Sequence, residues 1–274
     1  MKNILSVCCL LAAVTIAHAQ SPTDWKQLEL KGKVKSLSTQ QTYRYKKAGE
    51  WLPWEKTYAK DYLFNNKGRY TEYMDYGLDG KLSYSIIYTY TAKNTTLAFF
   101  DKEGKAGIKK IHVLDDKGRV TEEIEYTKDG VPDRRYANSY DEKGNKITVT
   151  GYKADGTMTS KITYTYDAGG RMIGYLTATP GYANSSRKYV LDEKGNTKED
   201  IWYNGQGAIE YRYVRTYDEK GNKIEELTYK GKDELRNMIR WKYEYDKNGN
   251  WTKRTESNSE GIEFHIEERK LTYY

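Results

Sequence analysis

Three tryptophans are the residues of this chain best suited to hold a ligand: Trp51, Trp54 and Trp202. Large flat rings on an otherwise polar chain stack on sugar faces or anchor protein partners. Trp51 and Trp54 flank Pro53, which interrupts the local strand pattern. Trp202 immediately precedes Tyr203 and so points to the opposite face of its strand. Both placements predict exposure. Trp241, in phase with Tyr243 and Tyr245, is predicted to be buried instead.

Other residue types that could do chemistry lack the surroundings for it. Each Asp-x-x-Gly could begin a calcium loop, but Lys143, Lys194, Lys220 and Lys247 stand where oxygen ligands would be needed, so these segments read as turns. The adjacent carboxylates Glu122 and Glu123, or Glu225 and Glu226, imitate a glycosidase pair, yet neighbours on a strand face opposite ways. Carboxylates from separate strands remain able to meet. His112 and His265 sit at repeat positions with no motif around them. No phosphate-binding loop, HExxH or nucleophile elbow occurs. The expectation is a protein without cofactor, metal site or catalytic residues.

These residues hang on a repeat. Asp141 to Ile147 and Asp218 to Ile224 both read DEKGNKI, with DAGGRMI from Asp167 and DEKGNTK from Asp192 between them. The turn positions Gly68, Asn94, Gly118, Gly144, Gly170, Gly195, Gly221 and Gly249 recur every 24 to 28 residues. Secondary turns at Gly80, Gly130, Gly156, Gly207 and Gly261 follow 12 residues after a primary one. Asp, Asn and Gly supply turn hydrogen bonds and positive φ. Between turns the chain alternates: Ile162, Tyr164 and Tyr166 share one face, Lys161, Thr163 and Thr165 the other. Likewise Val120, Glu122, Ile124 and Tyr126 are set against Thr121, Glu123 and Glu125. The pattern predicts an all-β protein, an antiparallel meander of tandem two-stranded repeats of about 26 residues, roughly 16 strands in all. A sheet so wide must twist or spiral, with Tyr and Ile on its drier face.

The first residues, MKNILSVCCLLAAVTIAHAQ, have one basic residue, an apolar run and the small-x-small site Ala17 to Ala19, which reads as a secretory signal over residues 1–19. Residues 20–27 read as an unstructured leader and 28–274 as one repeat domain. Pro53 and the polar stretch Thr177 to Ser186 are where the repeat lapses. Both cysteines, Cys8 and Cys9, fall in the signal, so thiolate metal sites and disulfides are excluded from the mature chain. The net charge of +7 is the residue of interleaved Lys, Arg, Asp and Glu, which argues against nucleic acid as a partner. No later stretch can form a transmembrane helix.

Aromatic-Asp-x-x-Gly-Asn or Gly-Arg, a short strand, an Asp-Gly turn and a strand ending Tyr-x-Tyr-Asp together resemble the tyrosine-aspartate (YD) repeats of bacterial RHS proteins over Leu28 to Tyr274. The resemblance implies β-sheet ribbons that spiral into shells in secreted toxins, with carbohydrate binding associated with some members. The period here is longer, and no self-cleaving core or toxin segment follows. The signal ending in Ala-Gln is similar to those of Bacteroidetes exported proteins.

Three functional readings follow. One is an exported, non-catalytic binding or scaffold protein, periplasmic, outer-surface or extracellular, whose partner is a glycan or a cell-surface protein; its mark would be a contiguous strip of exposed aromatic rings. The second is an envelope polysaccharide hydrolase, needing two convergent carboxylates. The third is an outer-membrane β-barrel, suggested by the signal, the strand number and Tyr273-Tyr274; charges on both strand faces, Glu122 among them, argue against a lipid-facing band. Oligomeric state is not specified by the sequence.

Overall fold

A computed structural model describes residues 23–274. The expected signal peptide and the first part of the leader lie outside the described residues. After a short helix α1 (Asp24–Gln27) come β1 (Val34–Tyr43), the small hairpin β2 (Lys46–Lys47) and β3 (Glu50–Trp51), then β4 (Glu55–Phe64), β5 (Tyr70–Tyr76), β6 (Leu82–Tyr90), β7 (Asn94–Asp101), β8 (Ala106–Leu114), β9 (Val120–Tyr126) and β10 (Pro132–Tyr140). The second half holds β11 (Lys146–Lys153), β12 (Met158–Tyr166), β13 (Met172–Ala178), β14 (Ser185–Leu191), β15 (Thr197–Tyr203), β16 (Ile209–Tyr217), β17 (Lys223–Lys230), β18 (Glu234–Tyr245), β19 (Trp251–Ser257) and β20 (Glu263–Tyr273).

From β4 to β20 each strand pairs antiparallel with the next, as the meander expectation requires. The sheet does not stay open. β1 pairs on one side with β20, Leu37 opposite Leu271, and on the other with β4, Leu37 opposite Tyr62. Eighteen strands thereby form a closed ring. This corrects the twisted or spiralling ribbon: closure satisfies both edge strands at once, which a spiral leaves unpaired. The expected strand number is low: the hairpin at Gly104, where the Asp101 carboxylate accepts from Glu103 and Lys105 N–H at 3.0 and 2.9 Å, and the one at Gly231 add strands that the spacing of the other turns does not mark.

The DEKGN turn explains itself. In the first copy the Gly144 N–H donates to the Asp141 carbonyl at 3.0 Å, Gly144 sits at φ +89°, and the Asp141 carboxylate accepts from both the backbone N–H and the side-chain amide of Asn145, at 2.7 and 2.8 Å. A type I turn closed by a left-handed glycine leaves one residue over, and the register shifts at Ser139/Tyr140 where β10 meets β11. The Asn145 side chain and the turn backbone hold the Asp141 carboxyl below its ordinary range. Asn94 is different: it begins β7 after a tight turn closed by Thr91 N–H to Asn94 C=O at 2.8 Å.

The repeat tyrosine has a matching role. The hydroxyls of Tyr140, Tyr166 and Tyr217 donate to the carbonyls of Val120, Lys146 and Thr197, each 20 residues back, at 2.7, 2.8 and 2.9 Å. Each of these repeats thus latches its last ring to the repeat preceding it. The rings face inward. Leu37, Ile86, Trp241 and Asp200, all on this face by strand pairing, are buried. The burial expected for Trp241 is met. In β9 the faces are reversed from expectation: Glu123 and Glu125 point inward, opposite His112 and Lys110, while Ile124 faces out.

Part of the expected leader is structured. α1 packs at one end of β1, β4 and β5, with Trp25 against the buried cluster Leu30, Val34, Leu37 and Phe64. The Trp25 indole donates to the Val34 carbonyl at 2.7 Å. Asn250 ties the next residues down, accepting from Lys31 N–H at 2.7 Å and donating to the Lys31 carbonyl at 2.8 Å. Beside the helix, the buried Asp24 carboxyl accepts from Tyr70 N–H, and burial outweighs that bond to push its pKa up to about 6.

A raised carboxyl pKa favours the protonated folded form. This contribution is therefore complete below about pH 4, the unfolded value, and is lost as pH rises through 6. In urea denaturation, Asp24→Asn is expected to gain about 2 kcal/mol on the parent protein between pH 4 and pH 7. An unchanged difference across that range would show that Asp24 docks without a shifted pKa.

Candidate functional site on the inner wall

Inward-facing rings on five adjacent strands form two contacting groups. Tyr164 of β12 meets Tyr175 of β13 at 6.1 Å between centroids, and Tyr175 meets Tyr189 of β14 at 6.4 Å. Trp202 of β15 meets Tyr211 and Tyr213 of β16 at 6.4 and 5.7 Å. Arg187 joins the two groups, its guanidinium 4.1 Å from the Trp202 ring centroid and 5.9 Å from that of Tyr175. The result is an aromatic strip along the wall in two groups, joined by one cation.

Asp200 organises the polar side of this strip. Its side chain is almost fully buried and accepts from Arg187 Nε and Nη2 at 3.0 and 2.6 Å, from Arg215 Nη2 at 3.2 Å and from Trp202 Nε1 at 3.0 Å. The fork geometry fixes the guanidinium plane against the indole. Arg215 continues to Glu226 at 2.7 Å, and Glu226 to Lys223 at 3.1 Å. Burial works to raise Glu226, but the Arg215 hydrogen bond and the two cations hold it below its usual range.

The same logic recurs elsewhere on the wall. Glu123 takes His112 Nε2 at 2.9 Å and Lys110 at 3.4 Å, and Lys110 also reaches Glu125. Glu256 and Glu267 share Arg254, at 3.5 and 2.8 Å, and Glu256 receives His265 Nδ1 at 3.0 Å. His265 is buried and stacks on Tyr43 at 3.9 Å. Inward carboxylates in these networks are thus bridged by cations. The adjacent pairs split as strand geometry requires: Glu122 bonds Arg135 at 2.7 Å on the outer face and Glu225 bonds Arg240 at 2.9 Å, away from Glu123 and Glu226.

The three predicted tryptophans do not form one surface. Trp51, on β3, and Trp54, just after it, clasp Arg44, whose guanidinium lies 5.3 and 4.9 Å from their ring centroids. Trp54 is exposed, but Trp51 is half-buried, its indole nitrogen enclosed without a hydrogen-bond partner among the described residues. Trp202 lies at the same end of the barrel, five strands from β20 along the wall, and is half-buried inside it. It does face away from Tyr203, but toward the lumen. Sequence reasoning missed Arg187, Asp200 and Arg215. The available signal was charge in phase with the tyrosines: Arg187 lies two residues before Tyr189, and Arg215 two before Tyr217. Among the described residues no group of three or more His, Cys, Asp or Glu is placed to hold a metal ion.

No protein-family model matches the chain, and no curated protein matches it. Among solved structures it is similar in fold to a porin-like protein from Bacteroides uniformis, with 15% identity, a TM-score of 0.50, and coverage of 92% of this chain and 98% of that one. A porin-like protein from Bacteroides vulgatus shares 11% identity with a TM-score of 0.36, covering 88% and 99%. The Tc holotoxin pore of Photorhabdus luminescens shares 12% identity with a TM-score of 0.24, covering 82% of this chain and 15% of that one. The first likeness is one of fold: a closed antiparallel barrel.

Proposed function

We propose that this chain is a closed barrel of the outer-membrane type in architecture, exported to the cell envelope, whose working part is its lumen. The observation that carries this reading is the aromatic strip from Tyr164 to Tyr213 set against the Asp200 network inside a closed wall. Rings that stack, beside fixed charged donors and acceptors, suit a carbohydrate or a similar polar ligand. Closure supports a barrel over the open display surface. We take the repeats to be of the YD type, here bent into a ring.

The outer face bears on where the barrel sits. Lys161, Lys188, Arg212, Arg240 and Lys253 all face outward in the body of their strands. Each cationic side chain at a bilayer midplane costs about 2–4 kcal/mol. Six of the eighteen strands, β5, β9, β13, β14, β15 and β19, are only seven residues long, against about 9–11 for a transmembrane strand. These features support a barrel standing in the aqueous part of the envelope. The second reading, insertion in the outer membrane, is favoured by full up-and-down closure and an even strand number, and by the fold shared with the porin-like protein of B. uniformis.

Two measurements test this. The mature protein is expected to remain soluble without detergent after ultracentrifugation; extraction only with detergent, with conductance in planar bilayers, would establish the second reading instead. On a glycan array the mature protein is expected to bind, and Trp202→Ala to weaken that binding about tenfold. Absence of binding to every glycan would remove carbohydrate as the ligand.

A further inference from the structure

Two inward cations stand apart from the ion-pair networks. Arg269 of β20 and Lys60 of β4 face each other across Thr39 of β1, which is paired with both and is itself buried. With strands about 4.8 Å apart, their backbones are roughly 10 Å from each other, a span that two long side chains can close upon. Neither takes part in a salt bridge or a side-chain hydrogen bond among the described residues, and Arg269 Nε is buried without a partner. The Arg269 guanidinium lies flat on Trp251, 3.4 Å from the ring centroid. Stacking leaves its in-plane N–H groups as donors, and a buried guanidinium without an acceptor is a state that calls for one.

The surrounding charges do not fill that need. Glu267, next to Arg269 on the same face, is engaged by Arg254 at 2.8 Å. Asp75, opposite Lys60, accepts from the Tyr73 hydroxyl at 2.7 Å and forms no salt bridge among the described residues. Arg254 itself lies 5.4 Å from the same Trp251 ring, adding a third cation nearby. Burial pulls the Arg269 pKa down to about 10, a cost that a bound anion would offset.

We propose that Arg269, Lys60 and Thr39 form a binding site for an oxyanion, the carboxylate or sulfate group of a ligand held in the lumen, with Trp251 as its floor. Arg269 supplies paired N–H donors, Lys60 a point charge and Thr39 a hydroxyl. The inference deepens the lumen reading by giving the ligand a negative charge, but it stands on its own side chains and is testable without any glycan.

The test is calorimetric titration of the mature protein with sodium sulfate, an oligogalacturonate and neutral maltohexaose, repeated on Arg269→Met and Lys60→Gln, with folding of each checked by circular dichroism. The acidic oligosaccharide is expected to bind at least about tenfold more tightly than the neutral one, and each variant to weaken only the acidic ligand, by about tenfold to a hundredfold. Equal binding of acidic and neutral sugars, or acidic binding unchanged in both variants, overturns the anion site and leaves the lumen reading intact. Sulfate binding that is lost in the variants while no sugar binds supports the anion site and removes the glycan reading. No binding of any of the three probes overturns both. Should Arg269→Met fail to fold, Lys60→Gln carries the same comparison.

Discussion

Asp200→Ala is expected to destabilise the barrel by about 3–5 kcal/mol, measured by urea denaturation, because it strands charges that the fold has already taken out of water. Four N–H donors from Arg187, Arg215 and Trp202 converge on this one buried carboxylate. Arg215 keeps Glu226 after the substitution, whereas among the described residues Arg187 keeps one hydrogen bond, to the Tyr175 hydroxyl at 3.3 Å, besides its contacts with the surrounding rings. The loss is a large share of a typical total stability of about 5–15 kcal/mol. Replacing the pair together, Arg187→Met with Asp200→Leu, is expected to recover most of the loss, since an apolar pair leaves no charge unpaired. A double variant no more stable than Asp200→Ala would mean that Asp200 acts through Arg215 and Trp202 instead. The same double variant removes the cation between the two groups of rings, so any glycan binding should fall with it while the fold persists.

Trp25→Ala carries the second large effect, about 3–5 kcal/mol at the α1 end of the barrel. The indole packs on Leu30, Val34, Leu37 and Phe64 and donates to the Val34 carbonyl, so its removal opens a cavity and leaves a buried acceptor. Gly68 shows how close the fit is: a Cβ there would lie 2.5 Å from the Trp25 ring, and the residue already sits at φ +75°. Hydrogen exchange should report early opening of β1 and of the turn at Gly68 in Trp25→Ala, with the far wall, β10 to β14, exchanging as in the parent. Uniform acceleration around the whole ring would show instead that α1 holds the barrel closed as one cooperative unit.

Most of the wall is legible in the repeat. Turn type, strand alternation and the inward tyrosine all follow from local chemistry: Asp and Asn bond the turn backbone, Gly takes positive φ, and Tyr packs its ring while its hydroxyl reaches a carbonyl 20 residues back. The hairpin at Gly231 escapes that pattern because it has Thr228 where the DEKGN turns have Asp, whereas the one at Gly104 keeps the turn chemistry through Asp101. In β9 the expected faces are wrong because Glu123 and Glu125 are tolerated inside by His112 and Lys110 on the next strand, which alternation within one strand does not reveal. The direction of Trp202 relative to Tyr203 is readable from alternation; that its face is the lumen depends on which side of the sheet becomes the inside.

What the sequence by itself determined is therefore the unit: a two-stranded repeat, its turns and the alternation along each strand, all set by interactions between residues near one another in the chain. What only the tertiary structure decided is the ring and everything gathered within it. Closure rests on β1 reaching β20, Leu37 opposite Leu271, and β4 at once. Backbone hydrogen bonding is blind to which strands meet, so no local pattern announces that pairing. The Asp200 network, the aromatic strip and the Arg269–Lys60 pair exist because the closed wall turns one face of the strands inward together.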